Sequence, residues 1–487
     1  MTEQQISVHN SVHEGIKTIH FETQENPESH DNKINLKTEN ETSFHKPPEE
    51  GAIKPVLATG EGEESFKPSI TRAIFTMTSL SIGTGCLTFT KKAIQVGFLW
   101  FAVLLIVSGA AIYWTLCGMI RVARKKGDWE YSSTVLKILG KSPAVLVDAM
   151  TSLYSLGIII AFELIINTLT GRVIYTFFKD KDKYPTFAVY NKEEWDTIKI
   201  KALVLVILTI LLLPLCLAKD IGKMKFFGYF SIITLAYTVV VLIIECPFFW
   251  SHYKKNVYVK EDKSTHPNWF DITNAFNSNL DFCTAFCTIL YSYSNHQGAF
   301  PLTRTLHTND DKVMNKVFGL STLLTMTIYF VIFVSSFLTS PLESEDLIIF
   351  RDSIFSNDIF MNIAKIATII ELLFLLPCNY NSMRCASFHL MFGNEDVRTI
   401  PNIIFTSVTL ILTAFIGAVY SNILNYLSLF GGFCCTTICF LIPGWMMIKV
   451  EWEEMSKVCK ILTIIGITIL CIIGYVGGIE SVILFFK

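Results

Sequence analysis

The chain has 487 residues, of which 51% are hydrophobic and 17% charged, with a formal net charge of −2. An ordinary soluble domain carries about one-quarter charged residues, so the composition excludes a single soluble globular fold. The absence of a basic face argues against nucleic-acid binding. The charge is divided: residues 1–69 hold 6 Lys and 13 acidic residues, a net of −7, which leaves +5 (34 basic, 29 acidic) for the rest.

The first segment, 1–66, is rich in Glu, Asn, Thr, Ser and His and has no sustained apolar period. Such a stretch cannot bury enough surface to offset chain entropy and reads as a disordered acidic tail. It lacks a basic start followed by an apolar core, so it is not read as a cleaved signal. Its five histidines, His9, His13, His20, His30 and His45, are irregularly spaced and do not form a metal-binding pattern. Asn40-Glu41-Thr42 fits a glycosylation sequon, in a tail placed in the cytosol by the argument below.

Eleven apolar spans follow, at roughly 72–95, 98–120, 144–178, 200–218, 226–250, 275–300, 317–339, 359–390, 402–420, 424–448 and 460–486. Blocks of about twenty apolar residues cross a ~30 Å hydrocarbon core as helices. Residues 67–487 therefore form one all-α polytopic membrane domain. With the N-terminus inside, the interior loops carry 16 Lys and Arg in 64 positions and the exterior loops 10 in 61. This bias places the N-terminus in the cytosol and, with an odd number of spans, the C-terminus outside. Which membrane, plasma or vacuolar/lysosomal, stays open. Most of the 13 cysteines lie in apolar spans, where Cys acts as a small hydrophobe. No disulfide, metal site or cofactor is indicated, and no nucleophile–base set or phosphate loop points to an enzyme.

Four places in the spans carry polar chemistry. In the first, SLSIGTGCLTF (79–89), Gly83 and Gly85 lower the cost of leaving the helix, with Ser79, Ser81, Thr84 and Thr88 beside them. Unwound backbone is tolerated in a membrane only where it lines a cavity. Two half-helix ends there would offer partial charges to a substrate's ammonium and carboxylate. Close helix packing is the plainer reading of the same glycines. The sixth span ends in a polar run, Tyr291, Ser292, Tyr293, Ser294, Asn295, His296 and Gln297, before Pro301. His296 is a proton carrier or a hydrogen-bonded interior residue. The eighth span holds Pro377, expected to kink it, then Asn379, Asn381 and Ser382, with Arg384 as a cytosolic-side anchor. Glu163 and Glu371 are deep carboxylates, which in membranes mark ion or proton paths or bond a neighbouring helix's hydroxyl.

Three stretches together resemble the amino acid/auxin permease family, in its neutral amino acid branch: Gly-Thr-Gly-Cys-Leu at 83–87, SYSNHQGAFPLTRTL in the sixth span, and LFGGFCCTTICFLIPGWMMIK in the tenth. The Pro377-to-Arg384 spacing also fits, and the resemblance covers roughly 66–486. It implies two inverted five-helix repeats plus an extra helix, a discontinuous first helix, and secondary transport of amino acids by alternating access. On that reading Ser81, Gly83, Thr84, Gly85, Tyr291, Ser292 and Ser294 bind substrate. Ser79, Glu163, His296 and Glu371 serve ion or proton coupling, and Pro301, Pro377 and Arg384 are gating or structural. H+ or Na+ is the co-substrate.

The chain also departs from the pattern. Thr88-Phe89-Thr90 leads into Lys91-Lys92, two ammonium groups that either draw an anionic substrate or snorkel to the outer interface. Ser79 stands where the sodium-coupled branch tends to have Asn, and Leu375 where it tends to have a hydroxyl. Fewer oxygen ligands tilt the expectation toward protons or facilitated transport. The competing reading is an amino-acid sensor or membrane scaffold of the same fold, whose tail binds a cytosolic partner.

Overall fold

The computed structural model describes residues 70–178, 198–217, 225–256, 281–306, 310–339, 345–351, 358–393, 399–420 and 422–486. The 1–66 tail, and most of loops 179–199, 251–271 and 340–358, lie outside them. Among the described residues every regular element is helical. The first span is broken into α1 (Ile70–Ser81), a 3-10 turn (Thr84–Thr88) and α2 (Phe89–Val96). The second is α3 (Phe98–Lys126), followed by a short α4 (Tyr131–Leu139). Spans three to five are α5 (Lys141–Phe178), α6 (Ile198–Leu217) and α7 (Lys225–Asn256). The sixth is a second broken pair, α8 (Asp281–Tyr293) and α9 (His296–Leu306). Spans seven to nine are α10 (Asp311–Thr339), α11 (Ile359–Phe392) and α12 (Thr399–Val419). The tenth is α13 (Ile423–Phe430), wide π turns over 431–441, and α14 (Ile442–Glu451); the last is α15 (Lys457–Phe485).

Each of the eleven expected spans thus falls on a helix or a broken pair. Eight helices among the described residues are long and apolar enough to cross a membrane alone. The pair at 70–96, bent by 50°, makes a ninth, and Leu203–Leu217 is a shorter apolar helix. The outer surface is apolar: Ile210, Ile404, Ile411, Phe415 and Ile461 are more than half exposed. Serines, threonines and the rare charges turn inward. This inversion of the soluble pattern is what a lipid solvent imposes.

Packing repeats with a period of five spans. The first span touches the sixth (α1 on α9, the 3-10 turn on α8), and the second touches the seventh (α3 on α10). The third packs along the eighth (α5 on α11) and the fourth along the ninth (α6 on α12). Because five spans is an odd number, each partner enters from the opposite face. The two halves therefore form an inverted 5+5 repeat, and the breaks in the first and sixth spans meet at its centre.

Two features fell outside the sequence reading. The loop 121–143 contains α4, fenced by Gly127 (φ +66) and Gly140 (φ +99), a backbone region that favours glycine. Tyr131, Thr134, Val135 and Ile138 are its buried face, at helical spacing. At the other end of the bundle, residues 345–351 form a cap with a 3-10 turn at Ile348–Phe350. Leu347, Ile348, Ile349 and Phe350 are almost wholly buried. The turn packs on α5, on α11 and on the 3-10 turn of the first span. Arg172 of α5 donates to the Phe350 carbonyl and pairs with Glu345 at 3.1 Å, while Arg351 pairs with Glu245 of α7.

Candidate functional site

The site grows from the end of α1. Its helical ladder closes with Ile82 N–H donating to the Thr78 carbonyl at 3.0 Å. Gly83 is then fully extended (φ −128, ψ 177). This is a conformation any residue adopts, so glycine is not needed there for its backbone freedom. Space is what distinguishes it: a Cβ at Gly83 would have no atom within 4 Å. The chain re-enters helix through a 3-10 turn that is held locally. Thr88 Oγ1 donates to the Gly85 carbonyl at 2.6 Å and Cys86 Sγ to the Gly83 carbonyl at 3.1 Å. The end of α1 and the start of the turn leave carbonyls and amides of opposite partial charge a few residues apart.

The second break lies against the first. Ser292, near the end of α8, has its Oγ where a Cβ on Gly85 would stand. Asn295, in the gap before α9, donates from Nδ2 to Ser81 Oγ at 2.5 Å. Tyr329 of α10, fully buried, sits between the two breaks. Its hydroxyl lies 2.6 Å from both the Ser81 and the Ser292 carbonyl, with one hydrogen to share. Phe89 and Tyr293 pack edge-on against its ring. Freed carbonyls at both breaks are thus tied to one side chain, as buried backbone requires.

On the far side of Gly83 is a cleft bounded by Ile82, Gly83 and Leu87 of the first span, Thr234 and Thr238 of α7, and Thr368 and Glu371 of α11. Its volume of about 10 Å³ is room for roughly one water, far less than an amino acid needs. The structure is a conformation closed around the break.

The expected site residues divide into groups. Ser81, Gly83, Gly85, Ser292 and Glu371 meet at the break and its cleft; Thr84 belongs to the turn, its side chain outside the described residues. Tyr291 and Ser294 face elsewhere. Tyr291 packs on Tyr154 of α5, and Ser294 is 3.5 Å from Cys439 in the π turns of the tenth span. Ser79 donates to the Thr76 carbonyl at 2.8 Å, inside its own helix. His296 opens α9, wholly buried, with Nε2 3.0 Å from Thr115 Oγ1 of α3. Pro301 and Pro377 lie within continuous helices. Glu163 is remote from the break in its contacts: Thr413 of α12 donates to its Oε1 at 3.1 Å.

Two expectations are corrected. Arg384 is 1% exposed and is no anchor at the membrane edge. It clasps three helices instead, donating to the Cys216 carbonyl at the end of α6, to Asn402 of α12, and to Asn381 of its own helix. A guanidinium with five donors is stable inside when carbonyl and amide oxygens take them up. Lys92 does not snorkel. It is 3% exposed and donates to Thr284 Oγ1 of α8 at 3.0 Å, bracing the second half of the first span against the sixth.

Tyr329, Thr115, Thr234, Thr238 and Thr368 were missed. The threonines carry no signal beyond a helix's ordinary content of hydroxyls. Tyr329, an isolated phenol within TIYFVIF, is a faint one.

Comparison with known proteins supports what the geometry outlines. The family model described as transmembrane amino acid transporter protein matches residues 67–484. The sodium-coupled neutral amino acid transporter 7 of Mus musculus is 24% identical over 432 residues, covering 83% of this chain and 85% of its own. The sodium-coupled neutral amino acid symporter 2 of Danio rerio is 20% identical over 432 residues, covering 85% and 82%. Among solved structures, the chain is similar to the Eremococcus coleocola manganese transporter, with a TM-score of 0.47 and 10% identity over 90% of this chain and 92% of that one. With nearly all of its membrane domain matched, the chain belongs to the transmembrane amino acid transporter family.

Proposed function

We propose that this multi-pass membrane protein is a secondary active transporter of neutral amino acids, with the substrate held at the paired breaks of the first and sixth spans. The observation that carries the reading is the junction at Gly83. There, open space beside an unwound backbone adjoins a cleft with a carboxyl, Glu371, and three threonine hydroxyls. A substrate carboxylate suits the amide-rich start of the 3-10 turn, and an ammonium suits the carbonyl end of α1 and Glu371. The names of the relatives support sodium as co-substrate, and the oxygens of Thr234, Thr238, Thr368 and Glu371 are ligands of the kind a hard cation takes. His296, with Nε2 3.0 Å from Thr115 Oγ1, ties α9 to α3. Alternating access then opens the cleft toward one face by tilting the broken spans against the α5–α11 pair. The Lys and Arg bias of the loops supports a cytosolic N-terminus.

The test is uptake of labelled alanine and glutamine into proteoliposomes containing the full chain, under imposed sodium or pH gradients. Gly83→Leu fills the space beside the break and abolishes uptake, while Gly83→Ala folds normally and transports more slowly. Normal uptake by folded Gly83→Leu protein removes the substrate from this site.

A further inference from the structure

Glu163 lies outside the paired breaks, in a setting short of hydrogen. It is 1% exposed, midway along α5. Its hydrogen-bond donor among the described residues is Thr413 of α12, whose single hydroxyl hydrogen is also within 3.1 Å reach of the Leu410 carbonyl. Its other oxygen, Oε2, has no hydrogen-bond partner. One helical turn on, Asn167 is 2% exposed and its Oδ1 also has none. Residues four apart share a face, so two buried oxygens without hydrogen-bond partners lie on the same face of α5, one turn apart. An ionised carboxylate there would be an almost uncompensated buried charge, which is strongly unfavourable. One proton on Oε2 removes the charge and supplies a donor one turn from the waiting amide oxygen.

A row of hydroxyls on α12 also leads toward this carboxyl. Asn402, Thr406, Thr409 and Thr413 recur at steps of four, three and four along α12. All are buried, and at 1.5 Å per residue they span about 16 Å. Thr406 Oγ1 is 3.3 Å from Asn402 Oδ1, which in turn accepts from Arg384. The buried Tyr380 hydroxyl of α11 faces Thr406 and Thr409 without a hydrogen bond to either. The file runs from Glu163 to the end of the bundle where α11 and α12 join. Among the described residues, no charged side chain is hydrogen-bonded into it before Arg384. The titratable groups around it are Cys216 of α6 and Cys378 and Tyr380 of α11; on α13, Tyr426 bonds the Ile416 and Tyr420 carbonyls.

We propose that Glu163 is a proton-binding site distinct from the substrate break, loaded through the α12 hydroxyl file. Its part in coupling rests on the transport reading, but its protonation does not, and the two are tested apart. Infrared difference spectra of the full chain in nanodiscs, wild type against Glu163→Gln, are compared between about pH 5 and 8. The wild type shows a carboxylic-acid C=O stretch at neutral pH that Glu163→Gln lacks, and Thr406→Val with Thr409→Val slows its deuterium exchange several-fold. If Glu163→Gln removes no such band, the site is overturned, whether or not the protein transports. In proteoliposomes, Glu163→Gln keeps alanine and glutamine exchange but loses the accumulation driven by a pH gradient. Loss of sodium-driven uptake instead overturns the proposal in favour of a metal cation. A wild type that carries neither amino acid refutes the transport reading and leaves the site to the infrared result.

Discussion

Two sets of glycines serve opposite ends. At Gly83 a Cβ would meet nothing within 4 Å. In the seam of the sixth, tenth and eleventh spans a side chain would meet backbone. A Cβ on Gly477 would stand 2.5 Å from the Cys283 carbonyl oxygen, and one on Gly432 would stand 2.5 Å from the Gly478 Cα. The seam uses glycine to bring helices into contact, the mode of adhesion that remains when lipid cancels the hydrophobic drive between helices. The break uses it to keep room. Similar Gly-rich strings thus serve close helix contact in one place and open space in another. What separates them is the neighbouring helix, which a single sequence does not display.

The largest effect expected from this contrast is at the seam. Gly477→Leu forces α15 off the carbonyls of α8, an overpacking cost at or above about 3 kcal/mol. Thermal-shift measurements in detergent should show the folded fraction lost, where Gly83→Ala leaves it intact and Gly83→Leu, beside open space rather than backbone, lowers it less while abolishing transport. If both leucine variants fold equally well, the two sets of glycines are not different in kind.

A smaller effect follows at Tyr329. Tyr329→Phe removes the one hydroxyl shared by the Ser81 and Ser292 carbonyls and leaves at least one of them buried without a donor. The expected cost is about 1–3 kcal/mol, seen as a lowered melting temperature. Because the tie joins the two breaks to each other, it should also alter the rate of uptake more than the apparent affinity. Unchanged stability with weakened affinity would instead make Tyr329 a substrate ligand.

The span count, the first break and the polar end of the sixth span were legible because each is a local matter: runs of apolar residues, helix-weakening glycines, and a string of polar residues no lipid-facing helix carries. The partners of single polar residues were not. Arg384 and Lys92 read as membrane-edge cations because edges are where such residues usually lie. Their acceptors, the Cys216 carbonyl, Asn402 and Thr284, are supplied by other spans. Tyr291 and Ser294 were grouped with Ser292 because they adjoin it in sequence, but successive helical residues turn by about 100°. The same rotation sends Ser292 to the first span and Tyr291 to the third, while Ser294 and Asn295, in the gap between the half-helices, turn to the tenth and the first.

The smallest effect sharpens the contrast on the side of the break, where the cap turn rests on the first span. Partial burial within the cap raises the Asp346 carboxyl above its ordinary value of 3.8; Lys91, Lys92 and Arg172 oppose the shift and Glu345 adds to it. A carboxyl whose value is raised on packing binds its proton more tightly in the packed state. The stability it contributes is therefore complete below the ordinary value and is lost as pH rises through the raised one. At neutral pH the ionised Asp346 works against the closed cap. Asp346→Asn removes that opposition, so amide hydrogen exchange at 347–350 should be slower than in the wild type at neutral pH. The two should converge as the medium is acidified. Exchange that stays equal in both proteins at every pH would mean that ionised Asp346 does not oppose the cap, and that the Arg172 and Arg351 clasps set its closure.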